Sequence, residues 1–106
     1  MIKMLALYKQ PKDPAAFEKY YFETHKPIAE KIPGLAGFRC FRIIGAAGGR
    51  SSYYFAAELC FLDRAAFKAG VSSTECAATA ADLENFAPGL CEVMFAEETD
   101  APLSGR

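Results

Sequence analysis

The sequence has almost no net charge. Twelve Lys and Arg residues oppose 13 Asp and Glu residues, leaving −1, so the basic stripe that releases counterions from a phosphate backbone is missing and no nucleic acid partner is expected. No apolar run approaches the roughly 18 residues that a membrane helix needs. The chain opens with Met1-Ile2-Lys3-Met4-Leu5 rather than a cleavable leader, which points to a cytoplasmic protein without a membrane partner. Metal chemistry also lacks its ligands. Cys40, Cys60, Cys76 and Cys91 lie 20, 16 and 15 residues apart with no Cys-x-x-Cys pair, and the chain has one histidine. The cysteines read as reduced core thiols, and neither a metal nor a cofactor is expected.

Apolar mass is abundant. Of 106 residues, 52% are hydrophobic, with 9 Phe and 5 Tyr, a composition that excludes disorder and suits one densely packed domain. The domain is expected over residues 1–98, followed by a loose polar tail over 99–106.

Punctuation along the chain divides it into four strands and two helical regions, the second in two parts. Ile2 to Tyr8 is an apolar strand stopped at Lys9-Gln10-Pro11. Asp13-Pro14 supplies an N-cap and a first helical residue, and Phe17, Tyr21, Thr24, Ile28 and Ile32 recur at helical spacing, predicting a helix over about 14–31. Pro33-Gly34 ends it. Leu35 to Ile44 and Ser52 to Phe61 form a hairpin around a glycine-rich loop, which opens no helix and so does not read as a phosphate cradle. A helical segment over Asp63 to Ala69 is expected to break at Gly70. A second helix opens with a capping box from Ser72 to Glu75 and stops at Pro88-Gly89, and Leu90 to Glu97 is the last strand. The order βαββαβ predicts an α+β, ferredoxin-like fold: a four-stranded antiparallel sheet with both helices on one side.

Such a sheet normally alternates apolar and polar residues, yet these strands do not. Tyr53, Phe55, Ala57, Leu59 and Phe61 are assigned to one face of the third strand, with Tyr54, Ala56, Cys60 and Leu62 on the other and Glu58 the one charge. Leu5 and Leu7 similarly oppose Met4, Ala6 and Tyr8. Nothing in the chain is left to cover a second apolar face, so a homodimer with its sheets face to face, a dimeric α+β barrel, is expected.

Titratable and aromatic groups converge in Phe17-x-x-Tyr20-Tyr21-x-x-x-His25-x-Pro27. On a helical wheel His25 falls about 40° from Tyr21, at the margin of the apolar stripe. Pro27 cannot donate to the carbonyl of Glu23, which bends the helix beside the imidazole. A partly buried imidazole exchanges protons near neutral pH, so His25 is the candidate catalytic acid or base. Tyr8 or Tyr21 would orient a substrate hydroxyl or carbonyl, with Phe38 and Phe86 among the apolar wall residues. A structural histidine, hydrogen-bonded to a local carbonyl at the bend, fits the same position. Glu58 reads either as a carboxylate working with His25 or as an edge residue reaching water. The serines lack a nucleophile elbow, which argues against a Ser-His-Asp hydrolase.

These residues resemble the EthD family of small dimeric α+β-barrel proteins, named for a component of ethyl tert-butyl ether degradation. The likeness runs through Ile2-Lys3-Met4-Leu5, Phe17-x-x-Tyr20-x-x-x-x-His25-x-Pro27, Ile32-Pro33-Gly34-Leu35, Ala57-Glu58-Leu59-Cys60-Phe61, Ser73-Thr74-Glu75 and Ala81-Asp82-Leu83-Glu84-Asn85-Phe86. The resemblance implies the same fold and dimer, and a site role for His25, which occupies the family's His-x-Pro position. The family often has proline where this chain has Glu84, and Asn85 receives no role. Relatives act in oxidation, decarboxylation, dehydration and isomerisation. The expected function is therefore a cofactor-independent enzyme, oxidoreductase or monooxygenase-like, or a lyase or isomerase, acting on a small apolar or aromatic oxygenated metabolite. The alternatives are a non-catalytic auxiliary or ligand-binding subunit of a degradation pathway and, since some related barrels hold haem through one histidine, a haem-handling protein.

Overall fold

The computed structural model describes residues 1–100; most of the tail expected over 99–106 lies outside them. The elements are β1 (Ile2–Lys9), α1 (Pro14–Tyr20), a π-helical turn (Tyr21–His25), α2 (Lys26–Ala29), β2 (Leu35–Arg42), β3 (Tyr53–Phe61), α3 (Arg64–Val71), α4 (Thr74–Phe86) and β4 (Cys91–Glu97). The four strands form one antiparallel sheet in the order β2-β3-β1-β4. This is the ferredoxin-like α+β fold. Among the described residues no helix is long and apolar enough to cross a membrane.

Residues directly opposite one another share a face of the sheet. Ile2, Met4, Ala6 and Tyr8 of β1 pair with Phe61, Leu59, Ala57 and Phe55 of β3, and Met4, Ala6 and Tyr8 with Phe95, Val93 and Cys91 of β4. This face meets the helices. Tyr8, Phe55 and Phe61 on this face and Tyr21 from the helical layer are the largest fully buried side chains, and burial of each of the two phenylalanines stabilises the fold by about 1.5–3 kcal/mol. Phe17, buried on α1, packs edge-on against Tyr8, Tyr54 and Phe55.

Capping sets the helix starts. Asp13 accepts from the Ala16 amide at 3.1 Å and Asp63 from the Ala66 amide at 2.8 Å. The expected box at Ser72 is displaced by one residue: Ser73 caps α4, accepting from the Cys76 amide at 3.0 Å, while Ser72 closes α3. The reason is that Gly70 does not break α3. It lies buried inside it, where a Cβ would sit 2.6 Å from the Phe61 ring and 2.9 Å from the Pro33 carbonyl oxygen. The glycine admits close packing rather than a turn. Gly34, at φ +83°, does make the turn that follows α2.

Two further expectations are corrected. A bulge where β1 meets β3 at Tyr8 and Lys9 shifts the register, so Tyr54 joins the helix side, contacting Phe17 and bonding Glu18, whereas Tyr53 bonds Glu92. Tyr53 and Phe55 therefore do not share a face. Glu58 neither works with His25 nor occupies an edge: β3 is a central strand, and Glu58 points away from the helices, 3.1 Å from the Lys3 ammonium. The Arg42 guanidinium bonds both oxygens of Glu18, at 2.8 and 2.9 Å, tying β2 to α1. Together with the Tyr54 hydroxyl it holds the Glu18 carboxyl down at about 2.

Candidate functional site

The helix carrying the histidine is not continuous. At Tyr21–His25 its hydrogen bonding widens to i→i+5, with the Lys26 amide donating to the Tyr21 carbonyl, and Pro27 follows without an amide hydrogen to restore the α pattern. The bend expected at Pro27 thus takes the form of a π-helical turn. His25 ends this turn at 3% exposure.

The imidazole is anchored by a residue that sequence reasoning did not single out. His25 Nδ1 lies 2.9 Å from Asp82 Oδ2, and a carboxylate only accepts, so Nδ1 carries the proton and Nε2 a lone pair. Asp82, itself 6% exposed, takes two further hydrogen bonds on Oδ1: from the Tyr20 hydroxyl at 2.8 Å and from the Asn85 amide nitrogen at 2.9 Å. The signal available in the sequence was an acid and an amide at i and i+3 on one face of an alanine-rich helix.

Burial pushes the His25 pKa below its ordinary 6.5 and outweighs the opposing pull of Asp82. Burial would raise Asp82, but the bonds from Asn85, His25 and Tyr20 together bring its carboxyl below 3.8. The resting pair is therefore a neutral imidazole on a carboxylate.

A cavity of about 270 Å³ opens between the sheet and α4. The sheet contributes Met4, Ala6, Tyr8, Phe38, Ala57, Leu59, Cys91, Val93 and Phe95, and α4 contributes Cys76, Thr79, Ala80 and Leu83, with Tyr21, His25, Ala29 and Val71 completing the wall. No lysine, arginine or carboxylate lines it. His25 is among the residues lining this space, and the bond to Asp82 is the one its imidazole makes among the described residues. Val93 and Phe95, 44% and 60% exposed, mark its mouth along β4.

Of the residues singled out from the sequence, His25, Tyr8, Tyr21 and Phe38 come together on this wall. Phe86 does not. It stands behind the imidazole, ring centroids 4.7 Å apart, and faces a separate groove beside Tyr20. Burial raises the pKa of the Tyr8 and Tyr21 phenols far above the usual range, so both remain O–H donors at any physiological pH. The Cys91 thiol is pushed up to about 11 by burial. Lys26 rests 4.9 Å from the centroid of the Phe38 ring and pairs with Glu30. Among the described residues no cluster of three His, Cys, Asp or Glu side chains is placed to hold a metal ion.

The fold and this site define a ferredoxin-like α+β protein with a buried His–Asp pair on an apolar cavity. The EthD domain model matches residues 9–89, and the chain belongs to the EthD family. It is 33% identical over 98 residues to an uncharacterized 11.0 kDa protein of the thcB–thcC intergenic region of Rhodococcus erythropolis, covering 92% of this chain and 95% of that one. The crystal structure of an EthD family protein from Bacillus halodurans C-125 superposes with TM-score 0.87 at 37% identity, over 93% of this chain and 99% of the other. SnoaB from Streptomyces nogalater, described as a cofactor-independent oxygenase, shares the fold at TM-score 0.66 and 15% identity, over 94% of both chains.

Proposed function

We propose that the protein is a small cytoplasmic enzyme, independent of any cofactor, that draws an apolar or aromatic oxygenated metabolite into the cavity and removes an acidic proton from it with His25. The observation that carries this reading is the buried His25–Asp82 pair, neutral imidazole on carboxylate, in the wall of a cavity lined by no lysine, arginine or carboxylate. The substrate's C–H or O–H proton passes to Nε2, its bonding pair stays on the substrate as a delocalised anion, and Asp82 stabilises the imidazolium that forms. The Tyr8 and Tyr21 phenols, both in the cavity wall, supply neutral donors for the oxygen on which that charge gathers. The absence of cationic side chains from the wall favours an uncharged substrate, such as a phenol or an enolisable ketone.

An anion generated this way reacts onward with dioxygen as an electron acceptor in an oxidoreductase, or loses or relocates a group in a lyase or isomerase. The likeness to SnoaB supports the first course.

The working unit in this reading is a homodimer. Leu5, Leu7, Ala56, Phe41 and Met94 occupy the sheet face turned away from the helices, and Phe41 and Met94 are each 45% exposed in the single chain. A second copy of the same face covers them with matching chemistry.

The test is His25→Gln, which can still bond Asp82 but has no titrating nitrogen. Turnover of a panel of neutral phenols and ketones should vanish while the dimer and Tm stay close to those of the parent. Equal ligand affinity with no conversion by the parent protein would instead support a non-catalytic, ligand-binding subunit.

A further inference from the structure

Tyr20 lies outside the cavity, yet its hydroxyl reaches the carboxylate that holds the imidazole. Among the described residues the two oxygens of Asp82 are divided: Oδ2 serves His25, and Oδ1 takes both Tyr20 and Asn85. We infer that Tyr20 is a positioning residue for His25, acting through Asp82, and that the π-helical turn exists to bring these two side chains onto one carboxylate. This inference rests on reading His25 as the site's base.

In an uninterrupted α-helix two residues five apart stand roughly 140° apart around the axis, at about 100° per residue. They could not both reach one side chain on a neighbouring helix. Widening the turn between Tyr21 and His25 reduces the rotation per residue and swings His25 towards the side of Tyr20. Both then meet Asp82, which α4 presents together with Asn85 one turn later.

A second contact runs parallel to the first. The Tyr20 ring stacks on Phe86 at 5.0 Å with planes 19° apart, and Phe86 in turn lies 4.7 Å from the imidazole centroid. Tyr20 thus fixes the carboxylate and the ring that backs the histidine, while facing the groove bounded by Lys12, Asp13, Phe17 and Pro88. It cannot touch a molecule bound in the cavity.

The electrostatic consequence follows from how the carboxylate's charge is shared. Two donors on Oδ1 draw electron density towards that oxygen and weaken the attraction that Oδ2 exerts on an imidazolium. The Tyr21 phenol beside the imidazole, the Cys40 thiol 3.9 Å from its hydroxyl, and Tyr8 and Cys91 in the same cavity wall all have pKa values raised by burial. They are neutral at pH 7. Asp82 forms no ion pair with a lysine or arginine among the described residues, so Tyr20 and Asn85 are the groups that set its pull.

Because the chain holds one histidine, an NMR titration of the imidazole reads this directly and needs no substrate. Tyr20→Phe keeps the stack on Phe86 and removes the hydroxyl; Asn85→Ala, at an exposed position, removes the second donor without threatening the fold. Each should raise the His25 pKa by about 0.5 unit or more, and the double variant by more than either. An imidazole titration unchanged in both variants would overturn the inference, whatever happened to Tm. A shift in the titration from a protein that turns nothing over would leave Tyr20 in its positioning role and refute the catalytic reading instead.

Discussion

His25 and Asp82, 57 residues apart in sequence, meet with Nδ1 and Oδ2 separated by 2.9 Å. The bond fixes which imidazole nitrogen is bare. Asp82→Asn nearly preserves the shape, but its amide can donate to Nδ1 and move the proton to Nε2, where the cavity needs a lone pair. Turnover should fall by roughly 10³–10⁴-fold, the loss typical when a carboxylate behind a catalytic imidazole becomes an amide. Steady-state kinetics and the ¹⁵N spectrum of the ring check the two halves of this expectation.

The same pair makes the fold sensitive to acid. The folded-state pKa of His25 lies below 6.5, so as pH falls through 6.5 the unfolded chain binds the proton first and stability declines until the folded imidazole also titrates. Asp82, lowered from 3.8, contributes stability that is fully present above that value and is lost as pH falls through its folded pKa. Both effects have one sign. Chemical denaturation between pH 7 and pH 5 should show a loss of stability that His25→Gln flattens, leaving the steeper loss below pH 4.

Gly70→Ala tests the tight approach of α3 to β3. The new methyl would meet the Phe61 ring at 2.6 Å and the Pro33 carbonyl at 2.9 Å. A backbone oxygen cannot move aside cheaply, so the cost should be about 1–3 kcal/mol, or a fall in Tm of roughly 4–8 °C for each kcal/mol in a domain of this size. Differential scanning calorimetry measures it, and the His25 titration should remain that of the parent.

Ala80→Phe fills the cavity from its α4 wall. Ala80 is exposed and lines the opening, so the larger ring can enter without opening the core. Ligand affinity should drop at least about tenfold, equivalent to roughly 1.4 kcal/mol, with Tm changed by only a few degrees. Isothermal titration with a neutral phenol bound by the parent protein gives the comparison.

Met94→Glu places a carboxylate on the sheet face assigned to the second copy. Met94 is 45% exposed in the single chain, so the fold should tolerate the change, while a dimer joined through that face would have to bury an unpaired charge. Sedimentation should show the parent as a dimer and the variant as a monomer at micromolar concentration.

The fold was legible because punctuation marks the ends of elements: Pro11, Pro33-Gly34 and Pro88-Gly89 each stop one, and apolar residues recur at helical spacing through the first helix. What escaped was local. A bulge reassigns Tyr54 by a single residue, and no period in a nine-residue strand records it. Gly70 looked like a breaker because sequence shows its freedom and not the phenylalanine pressed against it. The candidate site was half visible. His25-x-Pro27 announced a bent helix, whereas Asp82 lies on another helix and resembles any solvated acid until α4 is laid against the π-helical turn. Tyr20 was hidden for the same reason, since an ordinary wheel turns it away from the histidine.

One 13-residue helix performs two tasks at once. Cys76, Thr79, Ala80 and Leu83 shape the hollow, Asp82 holds the imidazole of His25, and Asn85 bonds Asp82. In the proposed reading, a guest that pushed α4 away from the sheet would also stretch the 2.9 Å link to the imidazole. The size of a bound molecule and the basicity of His25 would then be coupled through one helix.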